Sequence, residues 1–149
     1  MSTILAQTTS VPEVSVNWLA IIVATIVAMA IGYVWYGPLL GEKWMKLVKL
    51  SKNKVQSDWQ KPMIIMLLFA FVQAFILSHF IAYAGFFYPD MSGLGIGMIT
   101  AFWALVGFTL NSTIMSNMFA RRPDELTKIE AGYQIVSLLV MGAIIGLWR

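Results

Sequence analysis

The chain has no cysteine, a single histidine and few charges: only 11% of its 149 residues are Asp, Glu, Lys or Arg. Each scarcity excludes something. Without thiols there is no disulfide, no haem attachment and no thiolate metal centre, although compartment is left open. His79 alone falls short of the three or four ligands of a zinc site, so it reads as a hydrogen-bonded packing residue rather than as a ligand or proton relay. About a quarter of the residues of a soluble domain are charged, so this chain has too few charges to cover a water-facing surface. No acid stands inside any of its long apolar runs. That weighs against a proton-coupled exporter, which is expected to bury a carboxylate near the membrane midplane.

What abounds is apolar: 59% of the residues are hydrophobic and the mean hydropathy is +0.77. Four runs stand out, Val16–Tyr36, Met63–Phe87, Met98–Phe119 and Ala131–Trp148. Each is near the roughly 20 residues that a helix needs to cross a bilayer. Only helices and closed barrels satisfy their backbone amides there, and continuous rather than alternating runs select helices. The expectation is one all-α membrane domain over residues 1–149, with four transmembrane helices in an antiparallel bundle. The opening MSTILAQTTSVPEVS has no Lys or Arg, unlike a cleaved leader, so the first span is expected to stay as an anchor.

Charge is unevenly placed. Gly37–Pro62 carries Lys43, Lys46, Lys49, Lys52, Lys54 and Lys61 against Glu42 and Asp58; Ala120–Glu130 carries Arg121, Arg122 and Lys128; Tyr88–Gly97 has only Asp90 and the N-terminal tail only Glu13. Short loops rich in Lys and Arg stay cytoplasmic, so both termini are expected outside the cytoplasm. The net charge of +3 and pI near 9.3 would raise nucleic acid as a partner in a soluble protein. Here the cations flank spans and no base-stacking or groove-reading element accompanies them, so the expected partners are the bilayer and its anionic headgroups. Within the first loop Trp44, Leu47 and Val48 share one helical face, and Lys43, Lys46 and Lys49 line another. An amphipathic interfacial helix over about 42–50 is predicted.

Small residues mark where helices approach. In lipid, apolar side chains gain little by leaving the tails for one another, so helix contacts collect Gly, Ala, Ser and Thr. Ala20, Ala24, Ala28 and Gly32 recur every four residues in the first span; Ala70, Ala74, Ser78 and Ala82 do so in the second. Paired as a hairpin, these give Ala20–Ala82, Ala24–Ser78, Ala28–Ala74 and Gly32–Ala70. The fourth span carries Gly142 and Gly146, a motif associated with dimerisation, read here as an outer face free to pair with a second copy.

Polar residues form a second pattern. Thr109, Ser112, Thr113 and Ser116 lie on one face of the third span, with Asn117 at its edge. Glu130, Gln134 and Ser137 share a face of the fourth. Folding these spans back on their short loop sets Asn117 beside Glu130, Thr113 beside Gln134 and Thr109 near Ser137. This polar seam reads either as interhelical glue or as a hydrated path for a small solute or ion. Glu130 is placed at the start of its helix, and Gln73 is expected to be buried and bonded across the bundle. GLGIG at 93–97 lacks the strand that precedes a phosphate-binding loop and reads as a flexible outer turn. No nucleophile, base or metal constellation points to an enzyme, and no cofactor is expected.

Several motifs together are distinctive: Asn17-Trp18, Trp35-Tyr36-Gly37-Pro38, Trp44-Met45-Lys46, Arg121-Arg122-Pro123 and Ala131-Gly132-Tyr133. From Asn17 to Trp148 the chain resembles the small integral membrane proteins known as domain of unknown function 1761. The resemblance implies a four-span, mainly bacterial protein, hence a multi-pass protein of a bacterial inner (plasma) membrane. It implies no activity and no catalytic residue. The reading is a self-associating binding or structural module, a homo-oligomer by its small-residue faces, with a transporter or channel using the seam as the alternative.

Overall fold

The computed structural model describes residues 14–149; the expectation about the leader falls on the N-terminal segment, most of which lies outside the described residues. Seven helices follow one another: α1 (Trp18–Val34), α2 (Gly41–Leu47), α3 (Lys52–Ser57), α4 (Gln60–Phe87), α5 (Gly93–Ala104), α6 (Asn111–Phe119) and α7 (Asp124–Leu147). A wider π-helical segment, Leu105–Leu110, joins α5 to α6, and Trp35–Leu39 carries the chain on from α1 across a kink at Gly37, whose backbone is non-helical at φ −103° and ψ −105°. No strand occurs among the described residues. Among the described residues four helical stretches are long and apolar enough to cross a membrane: Trp18–Leu39, Gln60–Phe87, Gly93–Phe119 and Asp124–Leu147.

Local chemistry sets the ends. The Asn17 side chain accepts from the Ala20 amide at 3.1 Å, capping α1, while its Nδ2 donates to the Trp148 carbonyl at 2.8 Å. One residue thus satisfies an orphan donor at the start of the first span and an orphan acceptor at the end of the last. Ser92 caps α5 through the Gly95 amide at 3.2 Å. Pro62 lies within the first turn of α4, where its missing donor is tolerated. Asp124 and Glu125 fill the first turn of α7, where the helix dipole favours anions.

Three boundaries differ from those read in the sequence. The third span begins at Gly93, so GLGIG is helix rather than turn. The fourth begins at Asp124, which leaves Glu130 in its second turn rather than at its start. The first loop holds two short helices. α2 stops at Leu47 because Lys49 adopts φ 57°, and the Lys49 and Leu50 amides donate back to the Lys46 and Met45 carbonyls at 3.3 and 3.0 Å. This left-handed cap closes the helix. The same cap ends α6, with Arg121 at φ 50° and the Arg121 and Arg122 amides on the Met118 and Asn117 carbonyls.

Small residues fill the centre of the bundle. Ala24, Ala28 and Ala74 share one buried cluster with Ile21, Leu77, Ile81, Ile96, Ala101 and Met141, and Ala20 and Ser78 are also buried. The ends of the expected ladder diverge. Ala70 and Ala82 are half-buried, and Gly32 faces α7 rather than Ala70: a Cβ there would sit 3.4 Å from the Tyr133 ring. The aromatic ring takes the space because α1 packs along α7 as well as α4.

The tightest approach joins α5 and α7. A methyl on Gly93 would overlap the Gly146 carbonyl, and one on Gly97 would overlap that of Gly142; one on Gly142 would come within 2.5 Å of the Ala101 Cβ. Gly142 and Gly146 are buried by this contact, so the glycine pair closes the chain on itself and is not a free dimerisation face. Contact residues ascend along α5 as they descend along α7, so the two run in opposite directions.

Candidate functional site

The third span would be a plain α-helix but for its middle. Over Leu105–Leu110 it widens to a π-helical segment containing Gly107, which absorbs one extra residue. On an uninterrupted helix Thr113 would stand about 80° round from Leu105; with one residue absorbed it returns to within about 20°. The shift therefore aims Thr113 and Asn117 at α7, in line with buried Ala101 and Leu105. It turns Ser112 and Ser116 outward, where both are exposed. Asn117 is thus central to the polar face and Ser116 lies outside it, the reverse of what even helical spacing predicts.

Two pairs result. Asn117 is 2% exposed and its Nδ2 donates to Glu130 Oε2 at 2.7 Å. Arg122 completes the group: its Nη1 donates to Asn117 Oδ1 at 3.4 Å and lies 3.8 Å from Glu130 Oε1. One turn away Thr113 and Gln134 exchange hydrogen bonds, Oγ1–H to Oε1 at 3.0 Å and Nε2–H to Oγ1 at 2.7 Å. Among the described residues no buried side-chain nitrogen or oxygen lacks a partner. The expected third pair does not form. The Ser137 hydroxyl faces Met141 Sδ on its own helix at 3.9 Å, and Thr109 lines a groove instead.

That groove, about 600 Å³, lies between α4 and the π-helical segment, with α7 as its floor. Phe69, Phe80 and Phe108 supply apolar walls; Gln73, Thr109 and Gln134 supply polar atoms. It exists because α4 packs along only part of its length. Its buried residues are Ala74, Leu77, Ser78, Ile81 and Gly85, all in its second half, whereas Gln60–Phe69 is exposed throughout. Gln73 is exposed rather than buried. It has no side-chain hydrogen bond among the described residues, and it stands at the centre of α4, roughly 20 Å from either end. Nothing in the sequence marks the groove, because it arises from divergence of two helices; an isolated glutamine in a long apolar run is its one visible sign.

The remaining polar residues have local roles. His79 Nδ1–H donates to the Phe75 carbonyl at 2.8 Å, one turn back on the same helix, and its ring packs on Phe75 with centroids 4.4 Å apart. Ser78 likewise donates to its own helix, at Phe75, 2.7 Å away. In α2, Trp44 turns in to meet Tyr36 edge-on at 5.6 Å, Lys43 reaches Glu125 at 3.4 Å, and Lys46, like Lys49 just past the helix, is exposed. No group of three His, Cys, Asp or Glu able to hold a metal ion occurs among the described residues.

The family model described as "Protein of unknown function (DUF1761)" matches residues 19–146. The match covers most of the chain, which therefore belongs to that family. No curated protein and no solved structure matches it.

Proposed function

We propose that this member of a family of unknown function is a non-catalytic module of a bacterial inner membrane that associates with a second copy along α4. One observation carries the reading: Gln73, a carboxamide exposed at the centre of a membrane helix with no side-chain hydrogen bond among the described residues. In hydrocarbon an unmet amide costs on the order of 4–8 kcal/mol, so the group calls for a partner. A carboxamide both donates and accepts. Across a two-fold axis, Gln73 and Gln73 of the partner subunit can exchange two hydrogen bonds in a self-complementary contact. The bare first half of α4 supplies the rest of the contact. The charge distribution supports both termini outside the cytoplasm, with α2 in the inner headgroup layer and Lys46 and Lys49 toward anionic lipid.

The test is energy transfer between labelled copies in liposomes at increasing lipid dilution. Gln73→Leu is expected to weaken association about eightfold, for two hydrogen bonds at about 0.6 kcal/mol each, while Tyr33→Leu on α1 leaves it unchanged. Equal association of Gln73→Leu and the parent chain contradicts the reading.

The transport alternative draws on the groove, which reaches Gln134. Against it, the side chains of the Thr113–Gln134 and Asn117–Glu130 pairs bond to each other, so that Gln73 and Thr109 are the polar groups left to the groove. Single cysteines at 113 and 134, introduced into a chain that has none, separate the two readings: labelling by a water-soluble thiol reagent supports a path, and protection supports glue.

A further inference from the structure

A second hollow lies at the lysine-rich end, on the side of α1, α2 and α7. The Trp35 indole N–H donates to the Ile129 carbonyl at 3.0 Å, which ties the end of the first span to the start of the last. α2 folds over this junction, with Lys43 Nζ 3.4 Å from Glu125 Oε2. Between them is a notch of about 290 Å³ lined by Trp35, Leu40, Lys43, Glu125, Lys128 and Ile129. Half of that lining is apolar; the other half presents two ammonium groups and one carboxylate.

We propose that this notch seats an anionic phospholipid, its phosphate between Lys43 and Lys128 and the upper part of one acyl chain against Trp35, Leu40 and Ile129. Charge complementarity is the first argument. Lys128 has no ion pair among the described residues, and the Lys43–Glu125 pair has side chains 54% and 59% exposed. A pair so open to solvent is weakly held, and a phosphate can draw Lys43 from it. The surroundings are positive too: Gly37–Pro62 and Ala120–Glu130 together carry nine Lys and Arg against five Asp and Glu. Depth is the second argument. A tryptophan at the end of a span sits at headgroup level, where a phosphate and the first carbons of its chain lie one above the other. A notch apolar at one side and cationic at the other matches that order, and a free soluble anion would have no use for the apolar side. Basic pockets between membrane helices bind anionic headgroups on these grounds. The site does not depend on association through α4, which involves another side of the bundle.

The test is lipid retention by the full chain in nanodiscs of phosphatidylcholine doped with phosphatidylglycerol, read by native mass spectrometry. One phosphatidylglycerol per chain is expected to be held in preference to phosphatidylcholine. Lys128→Gln is expected to weaken retention about fivefold, the effect of one cation at a lipid surface, and Lys43→Gln/Lys128→Gln more than tenfold. Lys43→Arg/Lys128→Arg keeps the lipid, and Lys52→Gln, outside the notch, changes little. Three results overturn the proposal: Lys52→Gln weakening retention as much as Lys128→Gln, phosphatidylcholine held as well as phosphatidylglycerol, or displacement of the lipid by inorganic phosphate alone.

Discussion

The two ends of the bundle are built on different principles. At the end that holds the chain's C-terminus, glycine backbones of α5 and α7 touch, Asn17 ties the first span to the last, and α4 is packed. At the lysine-rich end the first half of α4 has no buried residue, α6 buries only Asn117, and α6 meets α7 through polar side chains. The contrast shows what small and polar residues each achieve in lipid. Removing side chains brings backbones together and gains close packing over many atoms. Amides and carboxylates hold helices at a greater separation through a few directional bonds. The first device leaves no space; beside the second, where α4 diverges, a groove remains.

Substitutions that exchange the two devices test this contrast. The largest effect is expected from Gly97→Val, whose side chain would overlap the Gly142 carbonyl backbone. Rigid overpacking of this kind costs about 3 kcal/mol or more, and the variant should lose its monodisperse folded form in detergent. Gly107→Ala, with open space around it, should fold normally. Next is Glu130→Leu, which strands Asn117 at a buried position and should lower stability by about 1–3 kcal/mol, measured by reversible unfolding in mixed micelles. Thr113→Val with Gln134→Leu forms a double-mutant cycle. The coupling between the two should be about 0.6 kcal/mol and at most about 2; zero coupling would mean that the two side chains do not meet. The smallest effect runs the other way. Lys49→Gly relieves a left-handed backbone and should raise stability by about 1 kcal/mol or less.

Much of the architecture was legible in the sequence, for identifiable reasons. Four apolar runs of spanning length give four helices because hydrocarbon permits little else. The short loop between the third and fourth spans brings Asn117 to Glu130 and Thr113 to Gln134. The structure departs from these expectations where a helix is irregular or where the crossing of two helices decides. Regular spacing puts Ser116 and Thr109 on the polar face, and the π-helical segment at Leu105–Leu110 breaks that spacing without a residue that demands it. Gly142 and Gly146 announced a close approach but not by which helix. The sequence predicts a buried Gln73, because polar residues in spans usually face the protein. Its exposure follows from the divergence of α4, a property of how helices cross rather than of any one helix.

The measurement that bears most directly on the contrast is an oxygen-accessibility scan of single spin labels along α4, from Met63 to Phe86. It is best done in the Gln73→Leu background at high lipid dilution, so that a second copy covers the helix less. The account predicts uniform lipid-like accessibility from Met63 to Phe69, and protection with helical periodicity only from Ala74 onward, deepest at Ala74, Leu77, Ser78 and Ile81. Periodic protection running unbroken through the first half would contradict it, since α4 would then be packed along its whole length and the groove would close.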